Sequence, residues 1–311
     1  MLSRPLRLLL APVAQVVVVT TTLVLLPTAT GSAYDAAGQS RRGGDRPWTV
    51  RFQVVDHNVE RRQSAIDTAL RTAVRTKAPV VLLQEVCWWQ ARAIRQAHPE
   101  WTVGWKADVP SDSCLRRSGL ESIADQGRRD SGLVAIWTGG ARGAVTARTF
   151  RHQGSRDFRH GLVCVSWRAT GTVRRACSTH LVNAAKVTQR RGTQFRQARE
   201  VKRWTAPWIR RGNVVVLGGD FNAGPASRTM DHLYAVDGAG RFIEATGCPR
   251  AVIVCRRSLS TTFDGGSIKI DYVFFSANRV LRGAPHRLRV VPTLSDHHLL
   301  AGWARVRVRG R

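Results

Sequence analysis

The chain has 311 residues, and its 49 lysine and arginine residues outnumber its 21 aspartate and glutamate residues, giving a formal net charge of +28. A positive field of this size favours polyanionic partners, with nucleic acid first and an anionic membrane surface second. A charge that only keeps an exported protein soluble is the alternative interpretation. The sequence contains no internal repeat or long low-complexity segment, which excludes a repeat architecture.

The N-terminus has the features of a secretory signal peptide. Arg4 and Arg7 precede an apolar stretch over residues 8–26, and the small residues of 31–33 follow it. We therefore predict a signal peptide over 1–33, a flexible segment over 34–46 and a single domain over 47–311. Loss of the two arginines leaves a charge of +26 on a secreted protein. The apolar stretch approaches membrane-spanning length, so an uncleaved N-terminal membrane anchor is the alternative. No obligate protein partner is evident, and a monomer is expected.

Hydrophobic patterning predicts strands alternating with a few helices. In chain order we expect a strand over 49–58, a helix over about 61–77, a strand over 79–85, a helix over about 89–98, strands near 101, 132, 144, 162 and 174, a helix from about 187, a strand over 213–218, and a strand-rich C-terminal third. Mixed strands with helices between them fit a sandwich of two sheets flanked by helices.

Polar side chains follow several of these strands. The apolar run from Val214 to Leu217 leads to Asp220 and Asn222, which lie two residues apart and so on the same side of an extended backbone. A carboxylate beside a carboxamide can bind a divalent metal and orient a phosphate oxygen. Other strands end on or contain polar residues in the same way, namely Asn58, Glu85, His180 and Asp271, and Asp296 and His297 precede the last strand.

These segments, in this order, resemble the endonuclease/exonuclease/phosphatase superfamily, which includes pancreatic-type deoxyribonuclease, abasic-site endonucleases, sphingomyelinases and inositol polyphosphate 5-phosphatases. The resemblance covers about residues 49–308. It implies an α/β fold, a four-layer α/β/β/α sandwich of two mixed β-sheets flanked by helices, with the site at one edge where strand ends converge. It also implies a divalent cation, Mg²⁺, with Mn²⁺ or Ca²⁺ as alternatives.

The resemblance assigns roles to these residues. It makes Glu85 the principal metal ligand, together with Asn58 and Asp296, while Asp220 and Asn222 position the phosphate and the water or bind metal. His297 becomes the general base, with Asp271 fixing its tautomer.

The resemblance also makes His180 the second histidine of the deoxyribonuclease branch, which binds the phosphate or protonates the leaving oxygen. The carboxylate that partners this histidine in the family precedes a short apolar strand, and Asp130 fits that place. Glu121 and Asp125 in the same loop are alternatives.

The sequence departs from the deoxyribonuclease pattern at two positions that contact DNA in that family. Cys87 stands where an arginine reaches into the minor groove, and Arg128 stands where a tyrosine contacts the groove. Replacement contacts with substrate are expected from Arg128 and Arg129, together with Arg116 and Arg117, or from the basic side of the helix that follows residue 187.

Six cysteines in an exported chain indicate three disulfides. A two-residue turn at Thr170-Gly171 sets Cys164 opposite Cys177 on adjacent strands. Cys248 and Cys255 are close in sequence and form the next expected pair. Cys87 and Cys114 remain by elimination. A zinc site is the alternative, but no Cys-x-x-Cys motif supports it.

The leading hypothesis is therefore a secreted, Mg²⁺-dependent phosphodiesterase, an endonuclease that hydrolyses DNA with a water activated by histidine, and RNA is a further candidate substrate. A phospholipase C of the sphingomyelinase type is the alternative enzyme. A non-catalytic toxin or adhesion subunit on the same fold is a third hypothesis, and retention of the whole set of polar residues argues against it.

Overall fold

A computed structural model describes residues 48–114, 130–140, 143–183, 190–236, 238–246, 261–266, 268–281 and 287–308. All of these residues belong to one compact unit. No helix in this part of the chain is long and apolar enough to cross a membrane. The predicted signal peptide and flexible segment lie outside the described residues.

The strands form two mixed sheets of six strands each. The first sheet, sheet A, contains in spatial order β11 (Arg287–Val291), β12 (Leu299–Val308), β1 (Trp48–Asn58), β2 (Val80–Cys87), β4 (Asp130–Trp137) and β3 (Thr102–Pro110). Sheet B contains β5 (Ala144–Thr149), β6 (Gly161–Ala169), β7 (Thr172–His180), β8 (Val214–Asp220), β10 (Asp271–Ser276) and β9 (Phe242–Glu244). The central pairs β1–β2 and β7–β8 are parallel, and every other pair is antiparallel.

Alternation along the strands explains the layers. In β2, Val80 and Leu82 point into the core between the two sheets, whereas Val81 and Leu83 point outward. The outward face packs against α1 (Gln63–Thr76) and α2 (Trp88–Ala97). Since both faces of β2 are covered, its sequence reads as a continuous apolar run.

The third helix covers the outer face of sheet B. Ala198, Val201 and Trp208 of α3 (Arg190–Arg210) pack in one cluster with Val215 and Leu217 of β8. The order of layers is therefore helices, sheet A, sheet B and helix, which confirms the predicted α/β/β/α sandwich. The predicted element order is also correct, with boundaries shifted by up to a few residues.

Two disulfides are present in the described residues. Cys164 and Cys177 are directly opposed in the β6–β7 hairpin, as the turn register predicts. Thr170 and Gly171 at its turn both have positive φ, 47° and 70°, which is the backbone of a type I′ turn. The second disulfide joins Cys87 at the end of β2 to Cys114. Cys248 and Cys255 lie outside the described residues, so their pairing stays a prediction.

Candidate active site

The two parallel strand pairs bring polar side chains from both sheets to one edge of the sandwich. Asn58 ends β1 and lies opposite Gln84 of β2, while His180 ends β7 opposite Asp220 of β8. Asp271, the first residue of β10, is the antiparallel neighbour of Asp220. The carboxyl ends of adjacent parallel strands meet at the same edge of a sheet, so these residues share one site.

Glu85 owes its position to a β-bulge. The pairing of β2 with β4 shifts register between Leu83 and Val86, and Glu85 has φ of 57°. A side chain in this region of backbone space is strained by about 1–3 kcal/mol, and such residues cluster at functional sites. The bulge directs the Glu85 carboxylate towards Asn58, whose Nδ2 donates to Oε1 at 3.2 Å. Arg61 forms an ion pair with the other carboxylate oxygen.

The buried Asn58 carboxamide joins the two sheets. Its Nδ2 lies 3.2 Å from Asp220 Oδ2 and 3.4 Å from His297 Nε2, in addition to Glu85. Four of the predicted site residues are therefore in direct contact through one amide group.

The glycines before Asp220 allow a close approach of β8 to its neighbours. A Cβ at Gly218 would lie 2.6 Å from Asp56 Oδ1 in sheet A, and a Cβ at Gly219 would lie 2.0 Å from the carbonyl oxygen of Thr179. Gly219 also has φ of 152°, which favours glycine. Larger residues here would push Asp220 out of the site.

Asn222 lies beyond the end of β8, where strand alternation no longer applies. Its backbone N–H donates to Asp220 Oδ1 at 2.8 Å, and its side-chain Nδ2 donates to the carbonyl of Leu181 at 3.0 Å. The residue has φ of 49°. Asn222 therefore holds Asp220 and the end of β7 in place, in the manner of an Asx turn.

His297 and Asp271 form a buried pair, as the resemblance implies. His297 Nδ1 lies 3.0 Å from Asp271 Oδ2, and Nε2 faces Asn58 and Asp220, the latter at 3.7 Å. Asp296 Oδ1 lies 3.9 Å from Nε2. Burial disfavours the charged imidazole, but Asp271 and Asp220 outweigh it and raise the pKa of His297 to about 10. The adjacent His298 instead contacts Asp264 at 2.7 Å.

A neutral histidine supports the backbone of His297. Burial lowers the pKa of His57 to about 4. Its Nε2 lies 3.2 Å from the carbonyl oxygen of His297 and 3.1 Å from Thr293 Oγ1. As a neutral donor to that carbonyl, His57 fixes the segment that carries His297.

The carboxylate that contacts His180 is Asp108, so the assignment of Asp130 is wrong. His180 Nδ1 lies 2.8 Å from Asp108 Oδ2, and His160 Nδ1 lies 3.0 Å from Oδ1 of the same carboxylate. Asp130 instead begins β4 opposite Pro110. The reason is a second bulge, because the β3–β4 register shifts between Ala107 and Val109, at Asp108 itself. This carboxylate is thereby buried within sheet A.

The charges in this second cluster stabilise one another. Burial opposes ionisation of Asp108, but His160 and His180 outweigh it and depress its pKa. Burial likewise opposes the charge of His180, and Asp108 followed by Asp220 raises its pKa to about 9. The one sequence signal for Asp108 is its position among apolar residues of β3, which indicates a buried carboxylate. A buried carboxylate requires a charged or hydrogen-bonding partner.

Sequence reasoning also missed Asp56 and Gln84, which lie one layer deeper. Gln84 Nε2 donates to Asp56 Oδ1 and to Ser178 Oγ, each at 3.0 Å, and so links the two sheets beneath the site. Burial, followed by the nearby Asp271, raises the pKa of Asp56. The same two causes raise the pKa of Asp220 to about 6.

The donor atoms suit a hard divalent cation. Glu85 and Asp220 present carboxylate oxygens around the Asn58 amide nitrogen, and the half-exposed Asp296 borders this network. The Asn58 Oδ1 atom accepts the backbone N–H of Glu60 at 3.1 Å. Carboxylate and carboxamide oxygens are preferred by Mg²⁺, Mn²⁺ and Ca²⁺. The residues present therefore fit such an ion.

The two arginines predicted to contact substrate, Arg128 and Arg129, lie outside the described residues.

Comparison with known proteins agrees with this architecture. The sequence profile of the endonuclease/exonuclease/phosphatase family matches residues 55–297, and the chain belongs to this family. No curated protein matches the chain significantly in sequence.

Similar solved structures include the catalytic domain of human Nocturnin with bound sulfate, at a TM-score of 0.57 and 14% identity, covering 84% of this chain and 97% of that one. Caenorhabditis elegans TDP2 matches with a TM-score of 0.54 and 13% identity, over 82% and 97% of the two chains. ANGEL2, described as a 2′,3′-cyclic phosphatase, matches with a TM-score of 0.53 and 14% identity, over 83% and 95%. At these identities the likeness concerns the fold.

Proposed function

We propose that this protein is an exported, divalent-metal-dependent phosphodiesterase that hydrolyses nucleic acid. The observation that carries the proposal is the contact network in which Asn58 joins Glu85, Asp220 and His297, while Asp271 holds the far side of the imidazole. This arrangement supplies both an oxygen site for a cation and a histidine oriented to accept a proton. Two disulfides support export, because such bonds persist in oxidising compartments.

His297 is the proposed general base. Asp271 fixes Nδ1 as the protonated nitrogen, so Nε2 is the atom that accepts a proton from the attacking water. A base must be neutral, whereas the carboxylates around His297 raise its pKa to about 10 in the cation-free chain. Neutralising Asp220 and Asp296 removes two of the charges responsible, so we expect this pKa to fall towards neutrality when a divalent cation is bound.

His180 is the proposed cationic partner of the phosphate. With its pKa raised to about 9, it is protonated at neutral pH, and its Nε2 lies 3.5 Å from Asp220 Oδ2 at the site. From there it can donate a hydrogen bond to a phosphate oxygen or a proton to the leaving oxygen. Asp108 contacts its other ring nitrogen, and His160 in turn contacts Asp108.

The cation itself would be held by Asn58, Glu85, Asp220 and Asp296. When bound, a divalent ion supplies neutralisation of the phosphate charge and stabilisation of the leaving oxygen.

The choice of nucleic acid as substrate rests on charge. The formal net charge of +28 favours a polyanion, and a neutral choline lipid offers no such attraction. ANGEL2, a structural relative, is described as a 2′,3′-cyclic phosphatase, which is compatible with ester chemistry at a nucleotide phosphate.

The test is to incubate the purified mature protein with plasmid, single-stranded DNA, RNA and sphingomyelin vesicles, with and without a chelator. We expect cleavage of nucleic acid that the chelator abolishes and Mg²⁺ restores. The His297→Ala variant is the matched inactive control. Cleavage of sphingomyelin alone would overturn the assignment in favour of a phospholipase C, and no turnover on any substrate would favour a non-catalytic role.

A second readout uses binding by the inactive variant. With about six phosphate contacts on duplex DNA, the slope of log affinity against log salt is expected to be roughly −5. Flat salt dependence on DNA together with tight binding to neutral vesicles would contradict the proposal.

A further inference from the structure

A basic cavity opens on the outer side of sheet B, away from the site described above. It has a volume of about 500 Å³ and lies between the end of β5 and the second half of α3. A pocket of 300–1,000 Å³ has the size of a drug-like ligand or a single nucleotide. Its walls are formed mainly by Arg148, Arg151, Arg203, Arg211, Trp204 and Trp208.

Within the part of the chain that the structure describes, the arginines of this pocket meet no opposing charge. No acidic residue is among the described residues that line it, and none of its four arginines forms an ion pair within the described part of the chain. Glu200, on the same helix, is buried and instead accepts the backbone N–H of Arg151 and contacts His152. Exposed guanidinium groups gathered without carboxylates are suited to phosphate.

A fifth arginine adds to the same field. The guanidinium of Arg175 lies 4.5 Å from the ring centroid of Trp208, and burial followed by the charge of Arg211 lowers the pKa of Arg175. An anion bound beside Arg211 would relieve this repulsion.

The pocket also contains a flat aromatic surface. Trp204 is half-buried, and its ring stacks on Phe150 with a centroid distance of 5.2 Å and an interplanar angle of 12°. The Arg148 guanidinium lies 5.6 Å from the Trp204 centroid. Indole rings and guanidinium planes are the surfaces on which unstacked bases pack, and phosphate-binding arginines beside them are typical of single-strand binding.

One helix connects this pocket to the catalytic site. Near its start, Gln194 Nε2 donates to the carbonyl of Asn222 at 2.7 Å, at the edge of the site. Arg203 lies further along α3 and Arg211 directly follows the last residue of the helix, about 13 and 25 Å from Gln194 at a rise of about 1.5 Å per residue. At roughly 3.4 Å per nucleotide of a stacked strand, this separation corresponds to about four to seven nucleotides.

We propose that the pocket of Arg148, Arg151, Arg203, Arg211 and Trp204 binds a single-stranded stretch of the nucleic-acid substrate, about four to seven nucleotides from the scissile phosphate. The arginines bind backbone phosphates, and Trp204 stacks on one base. The inference rests on the proposed function and adds to it a second binding site, which makes substrate affinity depend on strand length.

The first experiment removes three charges from the pocket. Arg148→Gln, Arg203→Gln and Arg211→Gln are combined in the mature His297→Ala protein, and binding to a labelled 20-nucleotide single-stranded DNA is measured by fluorescence anisotropy over a range of salt concentrations. The matched control removes three exposed arginines of sheet A, by Arg289→Gln, Arg305→Gln and Arg307→Gln.

We expect the pocket variant to bind the 20-mer at least 10-fold more weakly than the control variant at about 100 mM salt. Its slope of log affinity against log salt should be less steep by about 2, since three phosphate contacts are lost from a single strand. Binding of a 3-nucleotide strand, which is too short to reach the pocket from the catalytic site, should be unchanged. Equal weakening by the two variants, or equal weakening for both strand lengths, would overturn the proposal.

The second experiment separates the base from the phosphate. Trp204→Leu retains apolar packing on Phe150 but loses the flat ring, so it should weaken single-stranded DNA binding by about 10-fold and leave heparin binding unchanged. An equal loss for heparin, or a loss of binding to phosphatidylserine vesicles without a loss for DNA, would contradict a nucleic-acid site. The melting temperature of each variant reports folding. If Trp204→Leu is unstable, the triple variant of Arg148, Arg203 and Arg211 still tests whether the pocket binds nucleic acid.

Failure of the pocket and failure of the proposed function give different results. For this comparison the three arginine substitutions are made in protein that retains His297. Hydrolysis of the small diester bis(p-nitrophenyl) phosphate should then be the same in the pocket variant and the parent. Absence of that activity in the parent argues against the catalytic proposal, whereas an unchanged strand-length dependence in the pocket variant argues against the second binding site.

Discussion

The Asp271 carboxylate is expected to control the protonation of His297, and Asp271→Asn tests this. The variant keeps an oxygen acceptor for His297 Nδ1 but removes a charge 3.0 Å away. Two unit charges at this distance interact by about 5 kcal/mol at an effective dielectric constant of about 20, which corresponds to about four pKa units. Because both charges are delocalised and Asp220 remains 3.7 Å from Nε2, we expect a decrease of about two to four units.

The starting pKa of His297 is about 10, so the variant should titrate between about pH 6 and 8 without added metal. The assay is NMR of the imidazole nitrogens in chelator-treated protein, with the His297 signal assigned by its loss in His297→Ala. Asp264→Asn is the matched control, because it removes the exposed carboxylate that contacts His298, the residue after His297. This control should leave the His297 titration unchanged. A decrease of less than about one unit in Asp271→Asn would refute the electrostatic account of the pair.

Further predictions concern the metal, the second histidine and stability. Glu85→Gln should lower turnover by roughly 10² or more and weaken Mg²⁺ binding in calorimetry, while the melting temperature in chelator stays near that of the parent. Mg²⁺ should lower the pKa of His297 more than that of His180 in the same NMR titration, since Asp220 and not Asp108 faces the cation. The pKa of His180 is raised from 6.5 to about 9, so its charge contributes about 3 kcal/mol of stability that is present below about pH 6.5 and is lost as the pH rises through 9. His297, with its pKa of about 10, also loses stability over this range, so the contribution of His180 is the difference between the parent and Asp108→Asn. Urea unfolding of both proteins at pH 6.5 and 9.5 in chelator should show a loss that is smaller by about 3 kcal/mol in the variant.

The sequence was sufficient to predict the layers and the order of elements because each depends on local patterns. Continuous apolar runs such as Val80 to Leu83 indicate strands covered on both faces, and the Thr170-Gly171 turn fixed the register that opposes Cys164 and Cys177. These signals depend on neighbours within one strand or one hairpin. They can therefore be recognised in the sequence without knowledge of the tertiary structure.

The error at Asp130 arose where a local pattern gives no information. Asp108 and Glu85 both sit at bulges, and a bulge shifts by one residue which side chains face the interior. Glu85 is predicted as a site residue because it ends a strand within a motif. Asp108 lies inside β3, and its partner His160 precedes β6, so only the packing of sheet A on sheet B reveals that they meet.

The surroundings of His180 and His297 suit the different catalytic roles proposed for them, although both have raised pKa values. His180 is paired with Asp108, a carboxylate that His160 also contacts and that is fully enclosed. Its charge therefore depends little on what occupies the site. His297 is surrounded by Asp271 and by Asp220 and Asp296, two carboxylates that also border the oxygen site. Its charge is therefore expected to depend on whether those carboxylates are neutralised, which suits the proposed roles of His180 as a permanent acid and of His297 as a metal-dependent base on either side of Asp220.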